Sequence, residues 1–184
     1  MQYVILGLLM LHGPLSLYAV QRQFTQGISL FYSASFGSIQ RALRQLLERG
    51  LVTIDETTAD GRRRKPYTVT DAGITAWREW MHEPVVGGDL ETTALSKTFF
   101  LGLLEDEASQ REVIDGIRAR IDADLGALQA VERALDATDV PPEYAEVFRF
   151  QRATLEYGLR SHEHARAWFE ALSTGLDHAT SVRG

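Results

Sequence analysis

Residues 33–70 read SASFGSIQRALRQLLERGLVTIDETTADGRRRKPYTVT, and this stretch decides the fold. Ser35 stands where an N-cap belongs, its hydroxyl able to accept a bond from an orphan N–H of a first helical turn. Ile39, Leu43, Leu46 and Leu47 follow at helical spacing and predict one buried face. Gln40, Arg41, Arg44 and Gln45 fall largely on the other side, with Glu48 as the only opposing charge. Gly50 stops the helix in the usual C-terminal position. Leu51 to Ile54 then reads as a short strand and Tyr67 to Thr70 as its partner. Between them Asp60-Gly61 is a hairpin signal, followed at once by Arg62, Arg63, Arg64 and Lys65. A polar, cationic helix face flanked by a basic hairpin is how a winged helix-turn-helix meets double-stranded DNA.

The flanking segments complete that order. Residues 2–12 are apolar and helix-compatible, and they end at His12-Gly13-Pro14, where Pro14 cannot continue a helix. Ser16 is the next candidate cap, and Leu17, Val20 and Phe24, with Ala19 beside them, give the second helix a core stripe that ends near Gly27. Thr70-Asp71-Ala72-Gly73 opens a fourth helix through Trp77, Trp80 and Met81, with Thr70 as cap and Asp71 at the positive end of the dipole. Trp77 and Trp80 read as packing residues of that helix. Val85 to Leu90, with Gly87-Gly88, marks the expected boundary between a DNA-binding domain at 1–85 and a helical domain at 86–184.

The second unit reads as all-helical. An apolar helix spans Thr92 to Leu104. From about Ser109 to Ala137, Ile114, Ile117, Ile121, Leu125, Leu128, Val131 and Leu135 recur at spacings of three and four, a coiled-coil-like seam. Asp139 to Pro142 breaks this helix. A second long helix follows, with Tyr144, Phe148, Leu155, Leu159, His162, Phe169 and Leu172 on one side. The two should pair antiparallel. Their seams hold more apolar surface than one pair needs, so a homodimer is expected to cover the rest through Ile114, Ile117, Ile121, Leu125, Leu128, Phe148, Leu155, Leu159 and Phe169. The fold class is therefore mainly α with a small β-hairpin, a winged helix-turn-helix followed by a helical dimerisation domain.

Composition narrows the function classes. A chain of 184 residues with 45% hydrophobic and 24% charged residues is that of a globular protein. No cysteine is present, which removes disulfides, thiolate nucleophiles and cysteine-based zinc sites and suits a reducing, cytoplasmic setting. The apolar run from Tyr3 to Leu11 is far shorter than the roughly 20 residues of a membrane span, so no membrane association is expected. The net charge of −6 is unevenly shared. Residues 1–85 hold 9 Lys+Arg and 7 Asp+Glu, a net +2, and residues 86–184 hold 10 and 18, a net −8. The acidic half should point away from any DNA.

Taken together, the motifs resemble the PadR family of transcriptional regulators. The resemblance rests on Ile5-Leu6-Gly7-Leu8-Leu9, on Gly13-Pro14-Leu15 followed by Tyr18, and on Phe31 to Ile39. It continues through Ala42-Leu43, Leu46, Gly50-Leu51-Val52, Gly61-Arg62, Tyr67 and Thr70-Asp71-Ala72-Gly73. Lys97-Thr98-Phe99-Phe100 and Ala167-Trp168 extend it more loosely into the second unit, whose length is similar to that of the subfamily with a substantial C-terminal helical domain. The chain departs from the family pattern at Ser16-Leu17, where His-Gly is common, and at Phe36, where Pro is common. It departs again at Gln40-Arg41, where Tyr-Pro is usual. That last change exchanges a phenol and a proline for an amide and a cation, both able to donate to DNA.

The resemblance implies a dimeric repressor released from DNA by a small-molecule effector. The residues themselves assign the DNA contacts. Gln40 and one of Arg41 and Arg44 are expected to read bases, since Gln pairs with adenine and Arg with guanine. Ser38 and the other arginine would touch the backbone, with Ser35 and Gln45 beside them, and Arg62 to Lys65 would follow phosphates or enter a minor groove. Two-fold symmetry predicts a pseudo-palindromic operator with half-sites about one helical turn apart. His162 and His164 lie two apart, on different faces of a helix, which argues against a metal site. No cofactor is expected. No acid/base pair, phosphate-binding glycine loop or Ser-His-Asp arrangement can be argued, so an enzyme is not expected. The competing reading is a winged-helix protein-protein interaction module whose basic turn is only a solvated loop.

Overall fold

The computed structural model describes residues 1–54, 57–59 and 62–183; for 57–59, 62–64 and 177–183 only the backbone path is considered. The order is α1 (Gln2–His12), α2 (Leu17–Gln26), α3 (Phe36–Glu48), β1 (Val52–Ile54), β2 (Thr57–Ala59), β3 (Arg62–Arg64), β4 (Tyr67–Val69), α4 (Asp71–His82), α5 (Leu90–Phe99), α6 (Glu107–Asp136) and α7 (Ala145–Arg183). Two compact units result, Met1–Gln110 and Arg111–Gly184.

In the first unit the caps lie where the sequence placed them. Ser16 accepts from the Ala19 N–H at 3.3 Å, Ser35 from Ser38 at 3.2 Å and Thr70 from Gly73 at 3.1 Å. Each satisfies a donor the helix cannot satisfy itself. The core is made by α1, buried along Val4 to Leu9, with Val20, Phe24, Ile39, Leu43, Leu46, Trp77 and Met81. Leu47, expected on the buried face of α3, is 38% exposed, and Ala42 is buried instead. At 100° per residue Leu47 lies on the margin of the stripe set by Ile39, Leu43 and Leu46, where small Ala42 fits.

The hairpin is longer than two strands. Val52, Thr53 and Ile54 pair with Val69, Thr68 and Tyr67, and further out Thr57, Thr58 and Ala59 pair with Arg64, Arg63 and Arg62. Both pairings share one antiparallel register. Lys65-Pro66 separates β3 from β4, and Pro66 has no N–H to give a ladder. Arg62 to Arg64 are thus strand residues rather than a turn, while the Asp60-Gly61 signal lies outside the described residues. Leu15 adds an unexpected third edge, exchanging backbone bonds of 2.8 and 3.1 Å with Tyr67.

The base of the hairpin is tied to the helices on both sides. Gly50, at φ 68°, ends α3 with its N–H on the Leu47 carbonyl and the Leu51 N–H on that of Leu46, a Schellman closure. Thr70 then reaches back, its N–H to the Leu51 carbonyl at 3.1 Å and its hydroxyl to the Gly50 carbonyl at 2.8 Å. Helix α4 passes so close that a Cβ on Gly73 would sit 2.1 Å from the Leu51 carbonyl oxygen.

Helix α5 begins earlier and ends earlier than expected, because Asp89 accepts from the Thr92 N–H and the chain turns into a 3-10 segment, Leu101–Leu103, after Phe100. Val85, in the expected boundary stretch, is buried within the first unit. The ring of Phe100 lies against Gly7, where a Cβ would be 2.9 Å away. Lys97 is 2% exposed. Its ammonium donates to the Met81 carbonyl at 3.2 Å and to that of Glu83, and it lies 5.6 Å from the Trp80 ring. A cation at the end of α4 answers orphan carbonyls and the negative pole of the dipole. Trp80 stacks on Tyr3 at 5.2 Å.

Helix α6 starts at Glu107 rather than near Ser109, since Asp106 accepts from both the backbone and the hydroxyl of Ser109. Those bonds hold the Asp106 carboxyl below its usual pKa. Asp136 pairs with Arg152 at 2.5 Å, and Leu128 lies 3.5 Å from the place of a Cβ on Gly158. Contacts that fall along α6 as they rise along α7 are those of an antiparallel hairpin. Of the nine residues expected at a dimer interface, Ile114, Ile117, Ile121, Leu125, Leu159 and Phe169 are buried within the single chain, and Leu128, Phe148 and Leu155 half-buried. The seam is therefore spent inside the protomer. Val131 and Tyr144 are largely exposed. His162 donates from Nδ1 to the Gly158 carbonyl at 2.8 Å.

Two outcomes test this packing. Gly73→Ala should cost about 1–3 kcal/mol in chemical denaturation, because backbone must move, whereas Gly37→Ala, with open space around it, should be neutral or stabilising by about 0.5 kcal/mol. Burial lowers the pKa of Lys97 below the ordinary lysine value. Between the lowered value and the ordinary one the unfolded chain holds the extra proton, so stability should rise with pH as the ordinary lysine value is approached from below. Lys97→Met should flatten that rise.

Candidate nucleic-acid interface

The outward face of α3 is polar because its inward face takes all the apolar residues. Gln40, Arg41, Arg44 and Gln45 are exposed, opposite the buried Ile39, Ala42, Leu43 and Leu46. Among the described residues neither Arg41 nor Arg44 forms an ion pair, so both guanidiniums face solvent with their donors unused. Glu48 is the one acidic residue of the helix.

Other expected contacts are engaged differently. Ser38 donates its hydroxyl proton to the Ser35 carbonyl at 2.7 Å, and the Ser35 hydroxyl donates to that of Ser38 at 3.2 Å. Both protons are spent on the cap, which leaves only lone pairs toward an anion. Gln45 accepts at Oε1 from Gln2 at 2.8 Å, and Gln2 in turn accepts from Arg49 at 2.7 Å. The side-chain amide of Gln45 is thus oriented by Gln2, 43 positions away, a link with no local sequence signal. The backbone of Arg62 to Arg64 forms β3; their side chains lie outside the described set. Lys65 is exposed.

Two residues escaped the sequence reading of this face. Tyr18, on the first turn of α2, is 73% exposed, and its ring lies 5.6 Å from that of Phe36 on the first turn of α3, tilted by 36°. A signal existed, since each aromatic follows closely on a serine cap, Ser16 or Ser35. Among the described residues no group of three or more His, Asp or Glu is gathered as metal ligands, and no helix is long and apolar enough to cross a membrane.

Three helices closed by a hairpin, with an exposed cationic face on the third, define a winged helix-turn-helix regulator. Residues 5–79 match the model of the Transcriptional regulator PadR-like family, and residues 93–177 match that of Virulence activator alpha C-term. Over residues 5–79 the chain thus carries a domain of the PadR-like family of transcriptional regulators. Among solved structures, Bacillus subtilis PadR in complex with operator DNA is 24% identical, with a TM-score of 0.42 over 95% of this chain and 98% of that one. The same protein with p-coumaric acid is 24% identical, with a TM-score of 0.41 over 96% and 94%. The Vibrio cholerae virulence activator AphA is 20% identical, with a TM-score of 0.40 over 97% and 99%. No curated protein sequence matches the chain.

Because Arg41 and Arg44 support nothing inside the protein, replacing either with alanine should change unfolding free energy by no more than about 0.5 kcal/mol. Thermal or urea unfolding of the two variants beside the parent protein checks this.

Proposed function

We propose that the protein is a homodimeric repressor that sets α3 of each protomer into the major groove of a pseudo-palindromic operator. The observation that carries the reading is the outward face of α3, where Gln40, Arg41 and Arg44 are exposed while its opposite face is buried. Gln40 and one arginine read bases; the other arginine and the hairpin from Arg62 to Lys65 hold phosphates. Ser35 and Ser38 serve as the cap that aims the helix. Residues 1–85 form the DNA-binding domain and 86–184 the dimerisation domain, whose net charge of −8 favours keeping it off the duplex.

The dimer contact belongs to a second stripe on α7. Val147, Phe150, Tyr157 and Trp168 are exposed, Tyr157 to 75%, at positions compatible with one helical seam. They lie on a different side from Leu155, Leu159 and Phe169, which are spent within the chain. A small-molecule effector would act by favouring one separation of the two α3 helices over another. The match of residues 93–177 to a virulence-activator family favours a second reading, activation from the same kind of site; transcription from a promoter carrying the operator separates the two.

Selection of fragmented genomic DNA by the purified protein should enrich an inverted repeat with half-sites about one helical turn apart. Replacing Arg44 with alanine should cost about 1–3 kcal/mol, mainly at one base pair, whereas removing the charges of Arg62 to Lys65 should weaken all sequences and flatten the salt dependence. A folded dimer that enriches nothing would instead be an interaction module. Phe150→Asp with Tyr157→Asp should yield monomers in sedimentation.

A further inference from the structure

Tyr18 and Phe36 put apolar surface on a face that is otherwise polar. Each occupies the first turn of its helix, Tyr18 is 73% exposed and Phe36 partly so, and their rings are 5.6 Å apart. The pair adjoins the proposed DNA-reading residues. Phe36, Gln40 and Arg44 succeed one another at intervals of four, the spacing that lines side chains up as a ridge along a helix. This ridge starts at the margin of the buried stripe and winds outward to Arg44. Gly37, next to Phe36, is exposed, with nothing within 4 Å of where its Cβ would be.

A ridge of ring, amide and guanidinium has a definite complement in a major groove. The amide matches adenine N6 and N7, and the guanidinium matches guanine O6 and N7. The one feature of base edges there that takes an apolar group is the 5-methyl of thymine. We infer that Phe36, held in place by Tyr18, is a specificity-determining residue that reads a thymine methyl in each half-site, at the end met by the N-terminus of α3. The inference rests on the DNA-binding reading above and deepens it. Tyr18 acts by fixing the ring before DNA arrives, which reduces the ordering cost of binding. An aromatic that only packed for stability would not need to be as exposed as Tyr18 is.

The experiment uses the full-length protein and the operator recovered by selection. Each thymine is replaced in turn by uracil, which removes the methyl and leaves every hydrogen-bonding group unchanged. One thymine per half-site should prove sensitive, with affinity falling about fourfold for each methyl lost. Phe36→Leu should keep that sensitivity. Phe36→Ala should bind thymine and uracil operators alike, and Phe36→Gln, which keeps bulk but removes the apolar contact, should do the same. The salt slope should be unchanged in all three, since phosphate contacts are untouched. The inference is overturned if no uracil substitution weakens the parent protein, or if both Phe36→Ala and Phe36→Gln retain the parent's sensitivity. A folded dimer that selects no sequence at all overturns the DNA-binding reading itself, and this inference with it.

Discussion

The first unit depends on a junction of backbone groups at the root of the hairpin. The carbonyl of Leu51 accepts the N–H of Thr70, the hydroxyl of Thr70 bridges the Gly50 carbonyl to the Gly73 N–H, and Gly73 lets α4 pass against Leu51. The end of α3, the start of β1, the end of β4 and the start of α4 all meet there. Each polar group at this point has its partner, and none can move alone without leaving a carbonyl or an amide unsatisfied. The hairpin and α3 thus leave a common fixed point. That is the condition for two separate cationic elements to meet one stretch of DNA together.

A division of labour follows along α3. Its inward residues supply stability, and the outward ones supply none. Arg41 and Arg44 have no partner among the described residues, so their positions can answer to an operator at little cost to folding. The exceptions are the two serines at its start, whose hydroxyl protons close the cap, and Gln45, held by Gln2 and Arg49. The surface contains both free and preorganised groups, and the free ones run along α3 from Gln40 to Arg44, beyond Phe36 at its start.

The second unit shows how an apolar period divides between two tasks. The repeat from Ile114 to Leu125 on α6 and the residues Leu159 and Phe169 on α7 are buried within one chain. Their period alone does not say which partner covers them, because a heptad-like seam looks the same whether its partner is the next helix or another copy. Phe150, Tyr157 and Trp168 form a second, exposed stripe on another side of α7. Lys97 offers a similar lesson. A lysine in an amphipathic segment reads as solvated, and only the packing of α5 on the end of α4 makes it a buried donor to two carbonyls.

Local chemistry was enough to determine the caps at Ser16, Ser35 and Thr70, the stop at Gly50, the helical faces and the uneven charge. Each of those rests on residues within a few positions of one another, where chain connectivity already fixes the geometry. The winged-helix order followed from them. Tertiary structure alone decided the strand-like exchange of Leu15 with Tyr67, the hold of Gln2 on Gln45, the need for glycine at 73 and the aromatic pair of Tyr18 and Phe36. Those contacts join residues 18 to 52 positions apart, and their partners are chosen by how helices and strands stack rather than by any local preference.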